Sequence, residues 1–214
     1  MKRRIVLLGP PASGKGTQAE LIQKHFNIPA TSTGAILRKE AKAQTPLGVE
    51  AYRIVSKGGL APDDLVMRVV ASWVERTHGS FLFDGFPRTV PQAARFDVFL
   101  ADQGLPLELA IFLEVSEKTI VERMSTRLTC RDCGKIVSLG RHVQSKNEPC
   151  PNCGGMLETR DDDRAEALAR RMREFREKSL PVSDFYREKA ILAVVDGDRA
   201  VDCVFSEISQ LIAG

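Results

Sequence analysis

The sequence predicts an α/β fold in which a parallel β-sheet is flanked by helices and carries a small cysteine-rich insertion. Short apolar runs alternate with helical segments along most of the 214 residues, and this alternation is typical of parallel sheets. The periodicity fails between Leu128 and Thr159, where Gly, Pro, Asn and Cys predominate. We therefore interpret this stretch as a subdomain inserted into the α/β frame.

The first half of the frame begins with a strand, a tight turn and a helix. The strand is predicted over Arg3 to Gly9 and the helix over Gly14 to Phe26. Two helical stretches follow between Thr33 and Lys57, separated by the sequence TPLG and ended by Gly58-Gly59. The next helix is predicted over Asp64 to Thr77, because acidic residues favour a helix N-terminus.

The second half repeats the alternation on both sides of the insertion. Its predicted elements are, in order, a strand over Ser80 to Phe83, a helix over Val90 to Asp102, a strand over Leu109 to Val115, a helix capped by Ser116, a charged helix from about Asp163 to Lys178 that ends near Pro181, a strand over Ile191 to Val195, and a helix from Val201 to Ile212. The last helix has apolar residues at spacings of three and four, which predicts a buried face.

Composition and charge exclude several classes of protein. A hydrophobic content of 43% is enough for a substantial core, and a net charge of +3 is too weak to indicate a nucleic-acid or membrane surface. The apolar stretches, such as Ile5 to Leu8, are far shorter than the roughly 18 residues that span a bilayer. The basic start lacks the apolar segment and cleavage site of a signal peptide. We expect a cytoplasmic protein.

The turn after the first strand carries a phosphate-binding pattern. Residues 9–17 read GPPASGKGT, which matches G-x-x-x-x-G-K with a hydroxyl two places after Lys15. Backbone N–H groups and the helix dipole converge there on phosphate oxygens, and Lys15 can reach the β- and γ-phosphates. Thr17 and Asp84 are candidates for holding Mg²⁺ through water. The sheet is therefore predicted to be of the P-loop NTPase type.

Four of the five cysteines have the spacing of a metal site. Cys130-x2-Cys133 and Cys150-x2-Cys153 are separated by sixteen residues, as in two zinc knuckles that close one tetrahedral site. Four protein ligands leave no open position, so the zinc is expected to be structural. Two disulfides, disfavoured in a cytoplasmic chain, and an iron–sulfur site are the alternatives. We expect the fifth, Cys203, to be a small buried residue.

Taken together, the motifs resemble those of the adenylate kinase family over nearly the whole chain. They are GPPASGKGTQ, Ser32-Thr-Gly-Ala-Ile-Leu-Arg38, Asp84-Gly-Phe-Pro-Arg-Thr89 with Gln92, and Arg160-Asp-Asp-Asp163 with Arg171. The four cysteines make the chain similar to the long, zinc-lid bacterial form. The resemblance implies a core with the phosphate loop (residues 1–31, 62–126 and 164–214), an inserted helical NMP-binding arm (32–61) and a small zinc-binding lid (127–163).

The implied activity is reversible transfer of the γ-phosphoryl group of MgATP to AMP, giving two ADP. The lid is implied to close and exclude water, a motion for which adenylate kinase is itself the standard example. Phosphoryl transfer needs positioning and charge neutralisation, for which bidentate arginines are suited. The implied cofactors are Mg²⁺ with ATP and structural Zn²⁺, the partners are ATP, AMP and ADP without nucleic acid or membrane, and the implied state is a monomer.

The resemblance also implies roles for individual residues. The catalytic residues are Lys15, Arg88, Arg123, Arg160 and Arg171. The ATP-binding residues are Gly9, Ala12, Ser13, Gly14, Lys15, Gly16, Thr17, Arg123, Arg127, Ile136, Val137 and Arg199. The AMP-binding residues are Thr33, Gly34, Arg38, Gly59, Leu60, Ala61, Gly85, Phe86, Pro87, Arg88, Gln92, Arg160 and Arg171.

The choice of adenine is expected to depend on two side chains. The amide of Gln92 offers a donor and an acceptor together, which fits adenine's edge, and Thr33 matches the threonine of adenine-selective members. Two positions depart from the family pattern. Ala12 replaces a loop glycine and restricts φ there, and Ala35 replaces an aspartate, which we expect to alter the energetics of closure.

Two other functions are weighed against this one. A kinase of another nucleoside monophosphate, CMP, UMP or GMP, would use the same fold. A zinc ribbon can also bind nucleic acid, and Arg131, Lys135, Arg141 and Lys146 supply positive charge near the cysteines. The window has no aromatic residue to stack a base, so this binding-module interpretation is the weaker one.

Overall fold

The computed structural model describes residues 1–45, 49 and 61–214. The helices are α1 (Lys15–Phe26), α2 (Thr33–Lys42), α3 (Asp63–Val74), α4 (Val90–Asp102), α5 (Glu117–Thr126), α6 (Ala165–Glu174), α7 (Pro181–Glu188) and α8 (Val201–Ala213). The strands are β1 (Arg4–Leu8), β2 (Ala30–Ser32), β3 (Phe81–Asp84), β4 (Leu109–Glu114), β5 (Arg127–Cys130), β6 (Ile136–Ser138), β7 (Leu157–Glu158) and β8 (Leu192–Asp196). A 3-10 turn covers Asp161–Asp163, and a π-helical turn covers Phe175–Ser179.

The central sheet is parallel throughout and has the strand order β2-β3-β1-β4-β8. In its register, Leu7 lies opposite Asp84 and Leu8 lies opposite Phe112. The carboxyl ends of all five strands therefore meet at one edge, which is where open α/β sheets bind their ligands. The loop after β1 and the acidic end of β3 both lie at this edge.

Helices cover both faces of the sheet, and successive residues of β1 face opposite sides. Val6 and Leu8 belong to a buried cluster with residues of α3, α4 and α7. Ile5 and Leu7 belong to a second cluster with residues of α1 and α8. A strand buried on both faces needs an uninterrupted apolar run, which explains the sequence IVLL. The predicted α/β frame is confirmed.

The insertion forms a small antiparallel sheet of its own. β5 pairs with β6 on one side and with β7 on the other. A separate buried cluster lies beneath it and contains two of the cysteines with Leu128, Val137, Val143 and Leu157. Its strands are only two to four residues long, too short for the alternation of apolar and polar residues that predicts strands from sequence.

Three details differ from the sequence predictions. β2 was not predicted, because Ala30–Ser32 is short and only half-buried. The helix expected to end near Pro181 instead passes through the π-helical turn, where the Leu180 N–H donates to the Phe175 carbonyl at 2.7 Å. Pro181 then begins α7, a position where its missing N–H does no harm.

Cys203 is exposed, so the expectation that it is buried is wrong. The buried face of α8 is formed by Val204, Ile208 and Ile212, and Cys203 lies one position away from that face. Of the second helical stretch expected before Lys57, only Val49 lies within the described residues. Among the described residues, the helices are too short or too polar to cross a membrane.

Candidate active site

The loop between β1 and α1 has the conformation that its glycines allow. Gly9 has a φ of 139°, and a Cβ there would lie 2.6 Å from the carbonyl oxygen of Leu113. Gly14 has a φ of 95° and immediately precedes α1. Ala12 has a φ of 60°, so an alanine occupies the left-handed conformation that favours glycine. Ala12 therefore does not avoid the conformation of the replaced glycine but adopts it, and the backbone is strained at this position.

The side chain of Lys15 folds back over this loop. Its ammonium nitrogen donates to the carbonyls of Gly9 at 2.9 Å and Pro10 at 2.7 Å, and to Ser13 Oγ at 3.0 Å. Burial is the main cause that lowers the pKa of Lys15 to about 7, against the opposing charge of Asp84. The ammonium is thus held where a phosphate can replace the loop carbonyls as its partner.

Three guanidinium groups surround Lys15 closely enough to act on its charge. After burial, the positive charges of Arg88, Arg171 and Arg127 further lower the pKa of Lys15. These arginines come from the segment after β3, from α6 and from the start of β5. Cations from distant parts of the chain therefore converge on the phosphate loop, although like charges repel one another.

Asp163 holds two of these arginines. Arg127 donates to both of its carboxylate oxygens, through Nε at 2.7 Å and through a second, shorter bond. Arg171 donates to Asp163 Oδ1 at 2.8 Å. The carboxylate is only 1% exposed, and Arg127 and Arg171 are 12% and 17% exposed. A buried carboxylate thus fixes the orientation of both guanidinium groups.

Arg123 also contacts the phosphate loop. Its guanidinium donates to the carbonyls of Ala12 at 3.3 Å and Gly197 at 2.8 Å. Burial is the main cause that lowers the pKa of Arg123, the charge of Asp198 opposes this shift, and the charge of Arg141 adds to it.

Arg160 directly precedes the 3-10 turn, and its backbone carbonyl accepts a hydrogen bond from the Asp163 N–H at 3.0 Å.

The segment after β3 places a carboxylate and an arginine beside the loop. A Cβ on Gly16 would lie 3.4 Å from Asp84 Oδ2, and a Cβ on Gly85 would lie 3.6 Å from both Lys15 Cε and Arg88 Nη2. Arg88 Nε donates to the Gly85 carbonyl at 2.8 Å. The predicted magnesium ligand Asp84 therefore lies next to the phosphate loop, whereas Thr17 is exposed on α1.

The residues that follow Gly85 divide between the core and the site. Phe86 is fully buried and packs edge-on against Phe83 and Phe96. Pro87 is also buried. Gln92 is 1% exposed, and both ends of its amide have partners: Nε2 donates to Asp63 Oδ1 at 2.6 Å, and Oε1 accepts from the Arg88 N–H at 2.8 Å.

The predicted arm is described only in part. Ser32 caps α2 by accepting from the Ala35 N–H at 3.0 Å, and Thr33 is 5% exposed. A Cβ on Gly34 would lie 3.0 Å from Arg38 Nη1, so the guanidinium lies directly over this glycine. Ala61 is buried, and the predicted contacts Gly59 and Leu60 lie outside the described residues.

Three further residues, Arg199, Ile136 and Val137, were predicted to contact ATP. Arg199 pairs with Glu207 on α8, an interaction that raises its pKa, and it also donates to the Asp196 carbonyl at 3.2 Å. Ile136 is 41% exposed on β6, and Val137 points into the buried cluster of the lid at 1% exposure.

The lid cysteines form a compact cluster. All four Sγ atoms lie within 4.8 Å of one another, with Cys130 and Cys153 3.5 Å apart and Cys133 and Cys150 3.7 Å apart. Zinc–sulfur bonds of about 2.3 Å in a tetrahedron separate the sulfurs by about 3.8 Å, so the cluster fits zinc. A hydrogen bond from the Lys135 backbone is the main cause that lowers the pKa of Cys133 to about 6. Against a hydrogen bond from the Gly155 backbone, those from Cys133 and Cys130 raise the pKa of Cys153 to about 12, so the sulfurs share their protons as one group.

Two residues of the site, Asp163 and Asp63, were not among those predicted. Asp163 is the last of three successive aspartates, and nothing local distinguishes it from its neighbours. Asp63 was predicted only as a favourable charge at a helix start. The role of each aspartate depends on a contact with a residue far away in the sequence. Asp163 contacts Arg127, 36 positions away, and Asp63 contacts Gln92, 29 positions away.

The parallel sheet, the phosphate loop with its lysine and the converging arginines define a P-loop phosphotransferase. Comparisons with known proteins agree with this class. The sequence model of the family described as adenylate kinase matches residues 7–191. The chain belongs to the adenylate kinase family.

Similar proteins named adenylate kinase cover almost the whole chain. The protein from Salinispora tropica is 41% identical over 203 residues, which are 94% of each chain. The one from Thermosipho melanesiensis is 40% identical over 210 residues, which are 97% of this chain and 98% of its own. The one from Clostridium tetani is 39% identical over 211 residues, which are 97% of each chain.

Proposed function

We propose that the protein transfers the γ-phosphoryl group of MgATP reversibly to AMP and forms two ADP. The observation that carries this proposal is the convergence of Lys15, Arg88, Arg127 and Arg171 at the phosphate loop. The carboxylates of Asp163 and Asp84 offset only part of this positive charge, and the phosphates of two nucleotides meeting end to end would supply the rest. The names of the relatives agree with this activity.

On the ATP side, the backbone of the loop from Gly9 to Thr17 would cradle the β- and γ-phosphates. Lys15 would exchange the carbonyls of Gly9 and Pro10 for phosphate oxygens, and Arg123, which contacts the Ala12 carbonyl, would add a second cation. Arg127 would add charge from the lid. Ile136, Val137 and Arg199 are proposed to lie around the adenine of ATP.

On the AMP side, the acceptor would lie between α2 and the segment after β3. Arg38 and Arg88 would bind its phosphate, with Gly34 and Gly85 allowing close approach. Thr33 and Gln92 would contact its base. We propose the same role for Gly59, Leu60 and Ala61, of which Ala61 is buried beside this region, and backbone contacts for Phe86 and Pro87.

The transfer itself would need no covalent intermediate on the protein. An oxygen of the AMP phosphate forms a bond to the γ-phosphorus while the bond from that phosphorus to the bridging oxygen of ADP breaks. Lys15, Arg88, Arg123, Arg160 and Arg171 would orient the two phosphate chains and neutralise the charge on the transferred group. Asp84 and Thr17 would hold the water ligands of Mg²⁺, which neutralises phosphate charge when bound with ATP.

Residues 127–163 would act as a lid that closes over ATP, while residues 32–61 would form the acceptor arm on the core. The lid is already linked to the core by an ion pair between Lys135 and Glu20 of α1. Zinc held by the four cysteines would be structural, since it leaves no open position. We further propose that the protein works as a cytoplasmic monomer.

A panel of acceptors tests the proposed function. The protein with MgATP is incubated with AMP, GMP, CMP or UMP in turn, and the diphosphates formed are quantified. The proposal predicts rapid transfer to AMP and slow transfer to the others. Preference for another acceptor would keep the phosphoryl-transfer chemistry and overturn the choice of adenine.

A further inference from the structure

The carboxylate of Asp63 connects Gln92 of α4 and the N-terminal cap residue Thr89 to the start of α3. Its Oδ1 accepts a hydrogen bond from Gln92 Nε2 at 2.6 Å, and its Oδ2 accepts from Thr89 Oγ1 at 3.3 Å. The Thr89 hydroxyl in turn accepts from the Gln92 N–H at 3.1 Å. Asp63 therefore contacts the side chain proposed to recognise the acceptor base.

The network allows only one orientation of the Gln92 amide. A carboxylate such as that of Asp63 only accepts hydrogen bonds, and the Arg88 N–H, 2.8 Å from Gln92 Oε1, only donates. Turning the amide over would place oxygen against oxygen at Asp63 and two donors against each other at Arg88. Because Gln92 is 1% exposed, water does not replace the lost partners.

Amide orientation decides which purine a glutamine can recognise. Adenine presents an acceptor at N1 beside a donor at N6, and guanine presents a donor at N1 beside an acceptor at O6. A glutamine that is free to turn over pairs with either edge. A fixed amide keeps its remaining N–H and its remaining lone pair in set positions, so it pairs with one edge and meets the other with like groups.

We propose that Asp63 is a positioning residue that sets the choice of adenine over guanine by fixing the amide of Gln92. This inference rests on the proposed function, in which Gln92 contacts the base of the acceptor. Asp63 also places negative charge at the N-terminus of α3, a stabilising role that it shares with Asp64. Asp64 pairs instead with Arg95 at the surface and provides a matched control.

The test compares the unaltered protein with Asp63→Ala, Asp63→Asn and Asp64→Asn. For each protein, kcat and KM are measured for AMP and for GMP at saturating MgATP, and the KM for MgATP is measured as well. The affinities for AMP and GMP in the absence of ATP are measured by calorimetry. Asp63→Ala should narrow the AMP-to-GMP ratio of kcat/KM about tenfold, mainly through KM. Asp63→Asn, whose amide can still accept from Gln92, should fall between this variant and the unaltered protein.

The KM for MgATP should change less than about twofold in every variant, and Asp64→Asn should leave all values within that limit. An unchanged AMP-to-GMP ratio in both Asp63 variants, or an equal loss with both acceptors, would overturn the inference. If Asp63→Ala does not fold, the inference is decided by whether the ratio narrows in Asp63→Asn, at least about threefold. If the unaltered protein does not use AMP, both the proposed function and this inference are overturned. If it uses AMP but the AMP-to-GMP ratio of kcat/KM is the same in the Asp63 variants, only the inference is overturned.

Discussion

Arg127 donates two hydrogen bonds to the carboxylate of Asp163, and this pair joins the start of β5 to the turn that follows β7. Arg127 begins β5, and Asp163 ends the 3-10 turn that leads into α6. Arg171 of α6 adds a third bond to the same carboxylate. A buried ion pair thus holds the two ends of the small antiparallel sheet together, and its arginines also act on Lys15.

We expect Asp163→Asn to destabilise the protein and to slow transfer. Removing one partner of a buried pair costs about 3 kcal/mol, which lowers the Tm by roughly 6–12 °C for a chain of this size. Because Arg127 and Arg171 lose their fixed direction, kcat should fall at least about tenfold. The matched control is Asp161→Asn, whose pair with Arg164 is exposed and should contribute less than about 1 kcal/mol. Equal effects of the two substitutions would contradict the role of Asp163.

Lys15 should take up a proton when ATP binds. Its pKa is lowered to about 7, so above that pH the free protein carries it mostly as a neutral amine, while an ordinary lysine stays charged to about pH 10. Bound phosphates favour the ammonium and raise the pKa again. At about pH 8, binding should therefore take up as much as about one proton per ATP, and at about pH 6 almost none.

Calorimetry in two buffers of different ionisation enthalpy measures this proton uptake. Lys15→Met should abolish the dependence on buffer, and Lys24→Met, which changes an exposed lysine at the end of the same helix, should preserve it. A binding enthalpy that is independent of buffer at pH 8 in the unaltered protein would contradict the lowered pKa.

Ala12→Gly should stabilise the protein. The left-handed φ of 60° costs an L-residue about 1–2 kcal/mol, of which the greater flexibility of glycine in the unfolded chain offsets about 0.4–1 kcal/mol. The net gain of about 0.5–1 kcal/mol should raise the Tm by roughly 1–4 °C. Ala35→Gly provides the opposite case, since Ala35 is in α2 and should lose about 0.5–1 kcal/mol. A lower Tm for both variants would show that Ala12 is not strained.

Removal of zinc should destabilise the lid and leave the core folded. Because a structural metal contributes directly to folding free energy, Cys130→Ser should lose bound zinc and lower the temperature at which the lid melts. Cys203→Ser, which changes the exposed cysteine outside the cluster, should keep about one zinc per chain. Metal analysis and thermal melts followed by circular dichroism measure both effects. An unchanged melting temperature after the metal is chelated would contradict a structural role.

Sequence patterns with local causes predicted much of this protein. The phosphate loop follows from glycines whose φ angles are required at their own positions, as at Gly9 and Gly14. The cysteine site follows from ligand spacing, and the helices and most core strands follow from their apolar periodicity. The strained position at Ala12 could also be predicted, because the adenylate kinase family has a glycine at this place in the loop.

Features that depend on distant partners could not be predicted. Which of three successive aspartates holds Arg127 is decided by the fold, since the partners are 36 positions apart. The amide of Gln92 was predicted to be available to a base, and the sequence gives no sign that Asp63 fixes its direction from 29 positions away. The helix through Pro181 likewise depends on a local π-helical turn that periodicity does not indicate.

The most direct test of the central claim is the stoichiometry of transfer. The purified protein is incubated with MgATP and AMP, and ATP consumed and ADP formed are measured together, with Lys15→Met as the inactive variant and Lys24→Met as its matched control. The account predicts two ADP for each ATP consumed, strict dependence on AMP, and loss of the reaction only in Lys15→Met. ADP formation without AMP, or full activity in Lys15→Met, would contradict it.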